Sequence, residues 1–398
     1  YCNKLNGNSE LSLKWIKRVE DDFHPEWIPI KSIKNGIGIH YGPMPKFIQK
    51  KVVKLFKTNE VNTILSTSSI IEGVNTPTKN IFITTSRNIL QSNQVIKFKN
   101  LIGRAGRLGI HKVGNVYYKK MHSGFFDKVN IPYTNINLNF IIDKETPTVD
   151  INRESEVKSF NSENIDSEQS SSFEINREKT IDSINNSSLG KVPFDVVSQI
   201  LNKHGFTVKQ LKVLLDYTKA GSISVFGLLG KLKSSDGNLK SINVIIDKKY
   251  NSISEILNGL KAQTDYKTKS DSDLVSIIIK MIYSVIPHKV IPALDFIIEL
   301  NDVYSKYNSK NLFSRPNIKE ANIKRALFYN KFLGDNTTQT KESKKIMVKL
   351  FEYGIPYFRA KDFLNEIASN VPENFSIHDI KRIIYANKSM KELRIYFE

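Results

Sequence analysis

The chain has a single cysteine, Cys2, among its 398 residues, so no disulfide can form within it and a reducing compartment is the natural setting. Cysteine and histidine never cluster at metal-ligand spacing, which argues against a zinc site. No Gly-x-x-x-x-Gly-Lys-Ser/Thr loop occurs: Gly227-Leu228-Leu229-Gly230-Lys231-Leu232 fails in both spacing and hydroxyl. Without that loop there is no nest of backbone amides for a nucleotide's phosphates and no hydroxyl for Mg²⁺. The longest apolar stretch, 274–300, is interrupted by Lys280, His288, Lys289 and two prolines, which argues against a bilayer span. Tyr1-Cys2-Asn3-Lys4 leads straight into polar sequence, unlike a signal peptide. The expectation is a cytoplasmic protein with no membrane partner, and the first residue, which is not Met, suggests a piece of a longer reading frame.

Positive charge is what the chain has in excess. Lys and Arg number 59 against 40 Asp and Glu, a net charge of +19. A surplus of that size favours an anionic partner, nucleic acid being the common one, although a Lys-rich proteome would raise the count without any such partner. The charge divides the chain in three. Residues 1–142 hold 21 basic and 8 acidic side chains, residues 143–190 hold 5 and 11, and residues 191–398 hold 33 and 21. The middle stretch is rich in Ser, Asn and Glu and poor in aromatics. It cannot bury enough apolar surface to offset the entropy of ordering, and reads as an acidic flexible linker.

Residues 1–142 alternate strand and helix signals. Strands are expected at 36–41 (GIGIHY), 61–66 (VNTILS), 80–85 (NIFITT) and 115–118 (NVYY). Pro45 opens a helix running to Lys57, with Phe47, Val52, Leu55 and Phe56 spaced for burial. Short strands separated by helices predict an α/β parallel sheet with helices on its faces, and ligands of such sheets bind beyond the carboxyl ends of the strands. From Val192 onward the pattern is helical, with helices expected over 194–203, 208–218, 274–286, 291–307, 319–332, 341–353, 360–368 and 377–386. Ser376 is placed to cap the last of these, and Pro287 and Pro356 are expected to mark breaks. Residues 243–246 (NVII) read as a candidate strand of a winged-helix element.

The strongest local signal is Asn100-Leu101-Ile102-Gly103-Arg104-Ala105-Gly106-Arg107. Its glycines let the backbone approach a partner closely, and its arginines, three apart, share one side of a helical turn. Guanidinium groups so placed suit the terminal phosphate of a nucleotide, although the same residues alone would also make a basic surface turn. About thirty residues upstream, the 61–66 strand runs into Ser66-Thr67-Ser68-Ser69-Ile70-Ile71-Glu72-Gly73-Val74-Asn75-Thr76-Pro77. Hydroxyls and amides there can bind sugar-phosphate oxygens, and Gly-Val-Asn can turn toward a ribose. Further upstream lies His40-Tyr41-Gly42.

In order and spacing these segments resemble motifs IVa, V and VI of superfamily 2 helicases of the DExH type. The nearest branch is the one containing the exosome-assisting RNA helicases and the archaeal DNA-repair helicases, whose segments read roughly HHAG, ATxxxxxGVNxP and QxxGRAGR. The resemblance covers about residues 1–120 and implies the second RecA-like domain of such an enzyme. It would make Arg104 and Arg107 arginine fingers toward ATP held by a partner domain, with Gly73, Asn75, Asn100 and Gly103 at the nucleotide cleft. It would place Thr67, Ser68 and His40 on the nucleic-acid backbone, and Tyr1-Cys2 at the end of a preceding strand. Two positions depart from the pattern: Asn100 stands where the family has Gln, and Tyr41 where it has a second His. No acidic D-E-x-H box is present, so the ATP cradle and the Mg²⁺ ligands are expected on a first RecA-like domain outside this sequence. The expected function is the motor half of an ATP-dependent helicase working on single-stranded nucleic acid. The alternatives are an inactive nucleic-acid-binding relic and an interaction scaffold.

Overall fold

The computed structural model describes residues 10–67, 78–84, 103–106, 113–118, 189, 191–219, 225–231, 239–247, 249–333 and 340–398. The acidic stretch 143–190 lies outside them except for Leu189, as does Tyr1-Cys2.

Two helices that the sequence reading did not anticipate come first, α1 (Glu10–Asp22) and α2 (Ile28–Ile33). Trp15, Ile16, Val19 and Phe23 recur at helical spacing and are all buried, as is Trp27 before α2, so both tryptophans of the chain are core residues. Strand β1 (Ile37–His40) follows, then α3 (Lys46–Lys57), β2 (Thr63–Ser66), β3 (Asn80–Ile83) and β4 (Asn115–Tyr118). β1 pairs with β2 in parallel, Ile37 opposite Thr63, and β3 pairs with β4 in parallel, Asn80 opposite Asn115. Among the described residues the expected sheet is therefore two separate parallel pairs, not one continuous layer. In the second pair, Phe82 and Tyr117 stand directly opposite and stack at 4.6 Å, a cross-strand contact that fixes the register.

The C-terminal part is helical among the described residues: α4 (Phe194–His204), α5 (Val208–Lys219), α6 (Val225–Lys231), α7 (Leu239–Ile246) and α8 (Ile253–Lys261). Then come α9 (Asp271–Lys280), α10 (Ile291–Asn308), α11 (Arg315–Phe328), α12 (Lys341–Tyr353), α13 (Tyr357–Ala360), α14 (Leu364–Ala368), α15 (Ile377–Ala386) and α16 (Lys391–Arg394). Two expectations are corrected here. Residues 243–246 lie inside α7, because Ile242, Ile245 and Ile246 fall on one buried helical face, so they supply no winged-helix strand. Pro287 ends no helix either. Wider π turns over Met281–Val290 carry α9 into α10, which accommodates a residue that lacks an N–H and crowds the preceding turn. The resulting 38-residue helix is long and apolar enough to cross a membrane by length and composition alone, but 56% of its apolar window is buried against other helices, the situation of a core helix. At Pro356 the chain does break, between α12 and α13. Ser376 caps α15 as expected, accepting from the N–H groups of His378 and Asp379 while Asp379 caps in return.

α1 to α3 share one hydrophobic core with the C-terminal helices. Polar contacts cross the same boundary. The Trp27 indole donates to Ser276 Oγ at 3.2 Å, and the Ile28 N–H donates to Ser272 Oγ at 3.0 Å. Gly354, in left-handed backbone after α12, lies so close to Pro45 at the head of α3 that a Cβ there would sit 2.4 Å from the proline's own Cβ.

Candidate functional site

The arginine turn 103–106 is built by backbone. Thr78, two residues before β3, bridges Ala105 in parallel, and the Gly106 N–H donates to Thr78 O at 3.0 Å. Gly106 has φ +71°, and its α-carbon faces Gly114 so closely that an added Cβ would meet Gly114 N at 2.4 Å. A Cβ on Gly114 would in turn meet Gly106 N at 2.2 Å. Two glycines thus let the turn cross the segment entering β4 backbone on backbone. Asn115 closes the arrangement, donating from its N–H to Lys79 O at 2.9 Å and from Nδ2 to Asn80 Oδ1 at 3.0 Å. Gly114 was not singled out from the sequence; its only signal there is a glycine directly before a strand that follows the arginine motif.

Gly103 is exposed on this turn. Arg104 is half-buried, with Nε and Nη1 withdrawn from solvent, so its guanidinium is held rather than swept through water. The turn sits at the amino ends of β3 and β4. Thr67, by contrast, sits at the carboxyl end of β2, where a parallel sheet is expected to present ligands. It is exposed, and its N–H donates to His40 O at 3.2 Å, so the ends of β1 and β2 are joined. Ser68, Gly73, Asn75, Asn100 and Arg107 lie outside the described residues.

His40 lies inside the fold. It is 2% exposed, and burial holds its imidazole below its ordinary pKa, hence neutral at pH 7. The resemblance would place His40 on the nucleic-acid backbone; its side chain here is buried at the end of β1. Tyr41, the departure from the family's second His, turns inward as well. Its hydroxyl is buried beside Ser276 and Trp27, and burial pushes the phenol up to about 12. Gln49 of α3 locks the same loop, Nε2 donating to the carbonyls of Tyr41, Gly42 and Met44 at 3.1, 3.0 and 2.7 Å. The position that differs from the pattern is thus the one that anchors this loop to α9.

Among the described residues no group of three or more His, Cys, Asp or Glu side chains could hold a metal ion.

The exposed end of β2 at Thr67 and the backbone-braced turn carrying Arg104 are the parts of the candidate site among the described residues. Residues 11–109 match the family model described as the helicase conserved C-terminal domain, and they carry such a domain. The chain is similar to anti-bacteriophage protein B of Escherichia coli (strain K12), 37% identical over 99 residues, covering 25% of this chain and 14% of that protein. It is also similar to an uncharacterized helicase of Dictyostelium discoideum, 32% identical over 88 residues, 22% of this chain and 5% of the other. A third relative is the ATP-dependent DNA helicase Hel308 of Aeropyrum pernix, 29% identical over 86 residues, 21% of this chain and 12% of that one. The chain therefore spans a small fraction of the length of each relative.

Proposed function

We propose that this chain is the motor half of an ATP-dependent helicase or translocase acting on single-stranded nucleic acid. It supplies the second RecA-like domain, of the DExH type, to a first domain that carries the Walker A loop, the acidic box and the Mg²⁺ ligands. ATP closes the two domains, and closure shifts their shared grip along the strand. Arg104 and Arg107 offset charge that develops on the transferred phosphoryl group, Gly73, Asn75, Asn100 and Gly103 line the cleft, and Thr67 and Ser68 hold strand phosphates.

The observation that carries this reading is the bridge from Thr78 to Ala105. It ties the arginine turn to Thr78, the residue after Pro77 in the sequence, which offers a route between the nucleotide and the residues on the strand. The net charge of +19 supports the choice of partner.

Reconstitution tests the reading. The 398-residue chain by itself should not hydrolyse ATP, because the phosphate cradle is missing from it. Joined to a first RecA-like domain, as a longer polypeptide or a partner, it should hydrolyse ATP in response to single-stranded nucleic acid. Strand binding that persists with no hydrolysis in the joined protein would favour the inactive relic instead.

A further inference from the structure

A cavity of about 290 Å³ opens between α3, α12, α15 and the C-terminal residues, apart from the arginine turn. Small-molecule sites begin at roughly 300 Å³, so this one suits a compact group. Its walls are aromatic, including Trp15 and Tyr353, and four lysines reach it: Lys50, Lys51 and Lys54 of α3 and Lys381 of α15. Glu398 is the carboxylate among the lining residues. On α3, Val52 packs down on Gly38 of β1, which turns Lys50 and Lys54, one helical turn apart, to the opposite side.

The four ammonium groups are not equally committed. Lys54 Nζ donates to Glu398 O at 2.5 Å, and Lys381 Nζ donates to Phe397 O at 3.2 Å. Lys50 instead lies over the Tyr353 ring at 4.6 Å, and Lys51 over the Trp15 ring at 5.7 Å. Lys51 is 6% exposed, yet no carboxylate lies within ion-pair distance of it among the described residues. Glu398 and Glu60 act on it from further off, but a buried ammonium over an aromatic face and beside further lysines is a costly arrangement that an added anion would ease.

We propose that this cavity is a phosphate site that takes the terminal phosphates of a polyphosphate or of a phosphorylated strand end, held by Lys50 and Lys51 with Lys54 and Lys381 at its edges. A phosphate fits better than a carboxylate, because several ammonium groups converge on a small volume and a multiply charged anion answers more of them. Burial and then the neighbouring Lys381 and Lys46 push Lys50 down, and burial and then Lys54 push Lys51 down against an opposing pull from Glu398 and Glu60. The site joins α3, within the helicase-matched residues, to the C-terminal helices, so a bound phosphate would strengthen that seam.

Titration calorimetry on the full chain at physiological salt tests this with four probes: inorganic triphosphate, ATP, and one short single strand with either a 5′-phosphate or a 5′-hydroxyl. The reference variants are Lys50→Gln/Lys381→Gln, at the cavity, and Lys209→Gln/Lys212→Gln, an equal loss of charge on α5 outside it. If free phosphates are the ligand, triphosphate and ATP bind at one site per chain, and the cavity variant weakens them at least tenfold while the α5 variant does not. If a strand end is the ligand, the 5′-phosphorylated strand binds more tightly than the hydroxyl strand, and the cavity variant abolishes that preference. Lys51→Met adds an opposed pair of readouts, with a higher melting temperature without ligand and weaker phosphate binding. Should that variant not fold, the Lys50/Lys381 pair still decides. Phosphate binding that is absent, non-saturating or equally reduced by both double variants, together with no 5′-phosphate preference, overturns the proposal.

Discussion

The phenol of Tyr396 donates a 2.5 Å hydrogen bond to the carboxylate of Asp22, joining residues that are 374 positions apart in the chain. Arg359 Nε donates to the other carboxylate oxygen at 2.7 Å, and the Asp22 side chain is wholly buried. α1 and the C-terminal helices are therefore pinned at one point by a charge inside their common core. Burial raises the Asp22 carboxyl above its ordinary range, while Tyr396 and Arg359 pull it back.

Removing the carboxylate should consequently hurt more than removing either donor. Asp22→Ala leaves Arg359 and Tyr396 facing a void, and should cost about 3–5 kcal/mol in chemical denaturation. Tyr396→Phe leaves the ion pair in place and should cost about 1–2 kcal/mol. Equal costs for the two would mean that Asp22 is no hub.

Lys331 gives the fold a pH dependence of defined sign. It is buried, donates to the carbonyls of Ile245 at 2.5 Å and Asp247 at 2.7 Å, and burial lowers its pKa from the ordinary 10.5 to about 8. Below pH 8 the amine is protonated in the native and unfolded chains alike, and the buried charge weighs against folding. Between about 8 and 10.5 only the unfolded chain holds the proton, so stability rises with pH. Measured against Lys331→Met, the native protein should gain on the order of 3 kcal/mol across that window. Denaturation curves for both proteins at pH 7.5 and 10 check it, and a difference that does not change with pH contradicts it.

How far the sequence foretold these features depended on whether the cause was local. α12 and α15 match the expected 341–353 and 377–386, because apolar spacing and a capping residue are read from neighbours along the chain. Asn115–Tyr118 is the expected strand for the same reason. Residues 243–246 misled because β-branched side chains favour strands, yet partners distant in sequence make them a helical face. α1 is legible in Trp15, Ile16, Val19 and Phe23, a helical stripe that belongs to no functional motif. At the candidate site, residue types pointed to Arg104 and Thr67, but the burial of His40 and the facing of Gly106 and Gly114 depend on contacts that no local spacing encodes.

Gly114 provides a test of the turn that leaves every arginine in place. A methyl group there meets backbone rather than a yielding side chain, so Gly114→Ala should shift the 103–106 turn. Hydrogen exchange should then quicken at the Gly106 amide, which donates to Thr78, and at the Asn115 amide, which donates to Lys79. In a protein joined to the first domain that the proposed function requires, the same substitution should lower ATP turnover. Unchanged exchange at both amides would mean that the glycines do not hold the turn.

The most direct measurement of the proposed function is made on Arg104 and Arg107 in that joined protein, with ATP turnover and single-strand binding followed in parallel. An arginine that acts on charge developing in the transition state affects turnover, whereas one that grips strand phosphate affects binding and its salt dependence. Arg104→Ala and Arg107→Ala should each lower strand-stimulated hydrolysis by roughly 10²-fold or more, with the double variant little worse than either. Strand affinity should stay within a few fold, and Lys in place of either should not restore turnover, since a point charge lacks the planar fork. Strand binding weakened about tenfold with hydrolysis intact would contradict the account, because it would make the turn a grip on nucleic acid and not a catalytic element.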